Sequence, residues 1–205
     1  MNFKKGLAVT VAALGLSLSA QASDINIGGV VWDPESVNSF PDEVDFTSSG
    51  ILTETATTGI PGDIVTGYGL FTTINNTFPN MADFCPSCEL TFTFSMELDS
   101  IVPGGGASAN FAFKNLVIDI FVDGMPNYND TAANAGDGNL FLQLTSNGLL
   151  TGSGDNIGTG SDDGSGSGLL DVTQGMGLAW KNFDTNDQVN GTDFVFSSSF
   201  QPKGA

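Results

Sequence analysis

The sequence predicts an all-β protein, an antiparallel β-sandwich of jelly-roll type with about eight strands. Three observations carry that expectation. The chain holds 16 phenylalanines beside abundant Thr and Val, side chains that suit a pleated, half-buried surface. Leu90 to Leu98 alternates strictly between apolar and polar residues, the period of a strand with one face buried. Clusters of Gly, Asn and Asp punctuate the chain at turn spacing. Beyond residue 22, no segment carries a sustained run of apolar residues at helical spacing.

Residues 1–22 read as a cleaved export signal. Lys4 and Lys5 give a positive start, Gly6 to Ala20 form an uncharged and mostly apolar run, and Ala20-Gln21-Ala22 supplies the small-x-small cleavage pattern. The mature chain is expected to begin at Ser23. Nothing later reaches the roughly 18 consecutive apolar residues of a membrane-spanning helix, so no transmembrane segment is expected in it. Residues 23–205 form one domain of ordinary size.

Ile25 to Trp32 is the first predicted strand. Its apolar residues Ile25, Ile27, Val30, Val31 and Trp32 stand at the start of the mature chain, where the segment could add to a neighbouring subunit's sheet. Pairing within its own domain is the favoured reading, and strand addition the more specific one. Ile64 to Ile74 follows. Leu90 to Leu98 (LTFTFSMEL) puts Leu90, Phe92, Phe94, Met96 and Leu98 on one face and Thr91, Thr93, Ser95 and Glu97 on the other. Asn110 to Val122 is longer, with an irregularity expected near Lys114-Asn115. Asn139 to Thr145, Leu169 to Val172 and Thr192 to Phe200 complete the set, and Met176 to Phe183 is expected to form a short helix or turn. Asp123 to Gly138 reads as a polar loop. Gly152 to Gly168 is almost pure Gly, Ser and Asp and is expected to be a mobile loop inside the domain.

The charge balance excludes some partners. All 23 acidic residues lie after residue 22, against Lys114, Lys181 and Lys203 and no arginine, for a mature net charge of about −20. Nucleic-acid binding needs cations to neutralise phosphates and is not expected. The chain has no histidine, so Ser-His-Asp and Cys-His catalysis and His-based zinc or copper sites are excluded. Paired carboxylates remain as glycosidase machinery in principle, but no acid is singled out by its surroundings. The protein is not expected to be an enzyme.

Three groups of residues are candidate sites. Cys85 and Cys88 form the one CxxC pair, placed just before a strand rather than at the helix start of a redox βαβ unit. A structural disulfide in an oxidising compartment is expected, with a redox or metal role as the alternative. Calcium is the one cofactor suggested, because it is bound by Asp, Asn and carbonyl oxygens. The favoured cluster is Asp184, Asn186, Asp187, Asn190 and Asp193, and a second is Asp123, Asn127, Asn129, Asp130 and Asp137. Asp155, Asp162 and Asp163 form a third. None follows EF-hand spacing, and Asp and Asn also build turns with no metal. Trp32, Tyr68, Tyr128 and Trp180 are candidate carbohydrate-stacking rings.

Two stretches carry a family resemblance. GYGLFTTINNTFPNMADFCPSCELTFTFS (Gly67 to Ser95) and GSGLLDVTQGMGLAWKNFDTNDQVNGTDFVFSSSFQP (Gly166 to Pro202) resemble motifs of exported bacterial surface proteins of the PEP-CTERM class, which the exosortase system handles. The resemblance covers about a third of the chain. It implies a secreted or cell-surface protein of a biofilm or exopolysaccharide matrix, without a defined catalytic activity. The Pro-Glu-Pro sorting tail of that class has no counterpart in Gln201 to Ala205; the chain is read either as a tail-less relative released freely or as one whose tail has been removed, and sorting by exosortase is not claimed for it.

The resulting expectation is a non-enzymatic extracellular-matrix or cell-surface structural protein, self-assembling by strand addition of its N-terminal segment. Its partners would be itself, other matrix proteins or exopolysaccharide. The alternative is a calcium-stabilised carbohydrate-binding module of the same matrix.

Overall fold

The period-two segments become strands, and the elements follow from them. The computed structural model describes residues 24–34, 46–54, 60–75, 81–156 and 163–200; the signal segment, Asp162 and residues 201–205 lie outside this set. The strands are β1 (Ile25–Ile27), β2 (Val30–Trp32), β3 (Phe46–Glu54), β4 (Ile64–Ile74), β5 (Glu89–Pro103), β6 (Ala109–Asp123), β7 (Asn139–Ser146), β8 (Leu150–Asp155), β9 (Asp163–Val172) and β10 (Phe194–Phe200). Three single-turn helices, α1 (Met81–Phe84), α2 (Ala132–Ala135) and α3 (Trp180–Phe183), sit in the connections.

The class is as expected: a large antiparallel sheet of eight strands and a two-stranded ribbon, sandwich-like and all-β. The path is not that of a jelly roll. Strands stand beside their chain neighbours in the order β3-β4-β5-β6-β7-β9-β10, a meander. β8 continues the lane of β7, since both run antiparallel to β6 and to β9. Each connection between lanes, whether a short turn or a longer segment such as 124–138 or 173–193, returns the chain to the adjacent lane, so no strand crosses over another.

Two expected irregularities turn out to be built structures. Asn115 has φ 55°, and the β5–β6 register shifts beside it. Lys114 Nζ lies 3.1 Å from Asp99 and 3.3 Å from Glu97, while the Asn115 amide donates to Glu97 at 3.1 Å, so the bulge is pinned from β5. The Gly/Ser stretch is not a loop over its described length. Gly152 faces Gly166, Ser153 faces Ser165 and Gly154 faces Gly164 across β8 and β9. Alternation at period two places every glycine on one face and every hydroxyl on the other, which makes a strand of a composition that reads as a linker.

The sheet rolls until its edges meet at one end, where Phe46 of β3 lies 6.3 Å from Phe194 of β10 between ring centroids. The core fills this rolled face. Leu90, Leu116, Ile118, Ile120, Val122, Phe141, Leu142 and Leu144 are buried from the sheet, and Val30, Trp32, Phe84 and Phe183 close over them. Trp32 stacks on Phe183 at 5.1 Å and meets Phe141 edge-on at 6.1 Å. Gly28 and Gly29, with φ 64° and 98°, make the tight turn that splits the expected first strand into the β1–β2 hairpin.

Candidate functional site

Beyond the part covered by the β1–β2 ribbon, the rolled face opens as an apolar cleft of about 250 Å³. The alternation of β5 supplies Phe92, Phe94 and Met96, all half-buried. β3 and β4 add Phe46 and Phe71, β6 adds Ile118 and Ile120, and β10 adds Phe194 and Phe196. Ser48 and Ser197 are the polar residues of the rim.

Glycines make room for these rings. Gly67 and Gly69 are buried on β4 opposite Phe94 and Phe92. A Cβ on Gly50 would collide with the Tyr68 carbonyl oxygen and press on the Phe92 ring. The GYG motif thus serves two faces at once, with its glycines beneath the phenyl rings and Tyr68 turned outward.

Outside the sheet, residues 124–138 fold over β4 and β5. The residue that holds them is Glu89, 2 % exposed, whose carboxylate accepts from the backbone N–H of Asn127 at 2.9 Å and of Tyr128 at 3.0 Å. Thr91 Oγ1 donates to the Ala135 carbonyl at 2.7 Å, and the Tyr68 hydroxyl donates to the Asp130 carbonyl at 3.1 Å. Burial holds the Tyr128 phenol up at about 12, with the neighbouring Asp130 carboxylate adding to the effect.

Most of the residues named as calcium candidates make hydrogen bonds within their own loops. Asp193 Oδ1 accepts from the N–H groups of Thr185 and Asn186 at 2.7 Å each, and Oδ2 accepts from Val172 N–H at 2.8 Å. Asn186 donates to Asp184, while Asn186 and Asn190 take the left-handed conformation that Asn tolerates in turns. Asp187 lies exposed in the same connection. In the second cluster Asn127 donates to Asp137 and accepts from Asn134, Asp123 accepts from Met125 N–H, Asn129 accepts from Thr131, and Asp130 has φ 60°. Asp155 faces Asp163 across the hairpin and accepts from Ser108. Among the described residues no three His, Cys, Asp or Glu side chains are arranged to hold a metal ion.

Of the four candidate stacking rings, Tyr68 and Tyr128 come together beside the 124–138 segment. Trp180 is half-buried on α3 with Lys181 Nζ 5.6 Å above its ring. Trp32 is a core residue, 1 % exposed. Its segment is committed in the same way: Ile25, Ile27, Val30 and Val31 belong to a hairpin closed on itself, with Val30 fully buried. Donating this segment to a neighbour would withdraw Trp32 and Val30 from the core that they fill in the single chain. Cys85 and Cys88 form a disulfide, both buried, with Cα atoms 4.9 Å apart and Cys88 beside the Gly29 turn.

Three features escaped sequence reasoning. Glu89 stands just ahead of the alternating segment Leu90 to Leu98, and only the loop folded above it reveals its partners. Phe46 and the polar strand β3 carry no alternation strong enough to mark them. The convergence of Phe46, Phe92, Phe94 and Phe196 depends on the rolling of the sheet; the richness in phenylalanine was its one visible signal.

No protein-family model matches the chain, nor does any curated protein or solved structure.

Proposed function

We propose that this chain is an exported, non-enzymatic structural protein of the cell surface or extracellular matrix. The observation that carries this reading is the chemistry of the cleft, where phenyl and aliphatic side chains offer contact surface and two serines are the polar lining. Such a surface gains free energy by covering apolar area, at roughly 25 cal/mol per Å², rather than by moving protons. The buried Cys85–Cys88 bond suits an oxidising compartment. The formal net charge of −18 suits a protein kept soluble outside the cell.

Fractionation of the source bacterium, followed by mass spectrometry of the recovered chain, tests the proposal. The expected result is a chain beginning at Ser23 in the surface or extracellular fraction, with Cys85 and Cys88 oxidised. A cytoplasmic chain that retains residues 1–22 would overturn it, as would robust hydrolytic turnover by the purified protein.

A further inference from the structure

We infer that the fold is completed by one further strand, supplied by a separate polypeptide, in the seam between β3 and β10. The inference rests on the seam itself and goes beyond the assignment to the cell surface. The large sheet has seven lanes (β3, β4, β5, β6, β7 with β8, β9 and β10), and every neighbouring pair is antiparallel. With an odd number of lanes, the two edge strands run in the same direction. They cannot pair antiparallel with each other, but one inserted strand would be antiparallel to both and bring the count to eight.

The edges are prepared for such a guest. Among the described residues, β3 pairs only with β4, and β10 pairs only with β9. Edge strands that must stay unpaired are usually blunted by charge, proline or bulges. β10 reads FVFSSSF, with no charged residue and no proline. The bulge in β3, at Thr47/Ser48, lies at the end where the Phe46 and Phe194 rings already meet, so the remainder of both edges is left regular.

The cleft between them selects the guest's chemistry. Its volume of about 250 Å³ falls below the roughly 300–1,000 Å³ of small-molecule pockets, and the flanking ladders call for backbone N–H and C=O groups. An extended peptide meets both demands: alternate apolar side chains enter over Phe92, Phe94 and Phe196 while its backbone pairs on either side. The described strands of a second copy do not supply it, because each is already paired on at least one side and a strand in the seam needs both sides free. The formal charge of −18 favours a guest whose outward residues are neutral or basic.

The test uses the full chain and a fluorescein-labelled nine-residue peptide of alternating valine and threonine with lysine at each end. Fluorescence anisotropy is expected to show saturable binding. N-methylation of alternate peptide amides should weaken it at least about tenfold, because a backbone hydrogen bond cannot form through a methylated nitrogen. Phe196→Asp should weaken it similarly; Ser48→Asp, at an exposed rim position, does so without disturbing the core. Hydrogen exchange should slow at the amides of β3 and β10 when peptide is added. Equal binding of the methylated peptide, no binding at millimolar concentration, or edge amides already protected before peptide is added would each overturn the inference.

Discussion

Tyr128 reports the environment that residues 124–138 create. Its phenol is held protonated by partial burial, with the Asp130 carboxylate opposing a second negative charge nearby. The folded-state value of about 12 lies above the ordinary 10.0, so the neutral form is favoured by folding. That contribution is complete below pH 10 and is lost as pH rises from there through about 12. Absorbance of phenolate across an alkaline titration should therefore show one of the two tyrosines ionising near pH 12 in the folded protein. In 6 M guanidinium it should return to about 10. At the same scale Trp32 shows why a residue type alone is ambiguous. An indole serves equally as a binding platform or a core plug, and its contacts with Phe183 and Phe141 decide for the second.

At the scale of elements, backbone pairing turns a polar composition into strands. β8 and β9 are made of Gly, Ser, Thr and Asp at their hairpin end, yet they pair in register from Thr151/Ser167 to Asp155/Asp163. The neighbouring β6 and β10 supply outer ladders on either side. The segment over the outer face is held differently, through Glu89. Replacing Glu89 with Ala leaves the N–H groups of Asn127 and Tyr128 without their charged acceptor, at a cost of about 2–3 kcal/mol. Hydrogen exchange should localise the loss: the amides of Asn127 and Tyr128 speed up strongly while those of β6 change far less. Uniform acceleration across the sheet would show that Glu89 supports the whole fold rather than this segment.

For the whole molecule, self-repulsion is the dominant long-range term. Acidic residues outnumber basic ones 23 to 5, and the ion pairs among the described residues are those of Lys114 with Glu97 and Asp99. Raising ionic strength from 10 mM to 150 mM shortens the screening length from roughly 30 Å to 8 Å. Stability should rise by on the order of 1 kcal/mol, or about 2–4 °C in Tm for a chain of this size. Monovalent sodium and divalent calcium at matched ionic strength should give the same gain if screening is the cause. A larger gain with calcium would point to a specific site in the acidic connections.

The chain's own order of residues determined the all-β class, the face of β5 that carries Phe92, Phe94 and Met96, the bounds of β4 and the irregularity at Lys114-Asn115. These are local matters, set by period-two alternation and turn residues within a few positions. The lane shared by β7 and β8, the hairpin of β1 and β2, the partners of Glu89 and the approach of β3 to β10 at Phe46 and Phe194 were decided by the tertiary structure. Each depends on which strands become neighbours and how far the sheet rolls, and both follow from burying apolar area over the whole molecule rather than from any single segment.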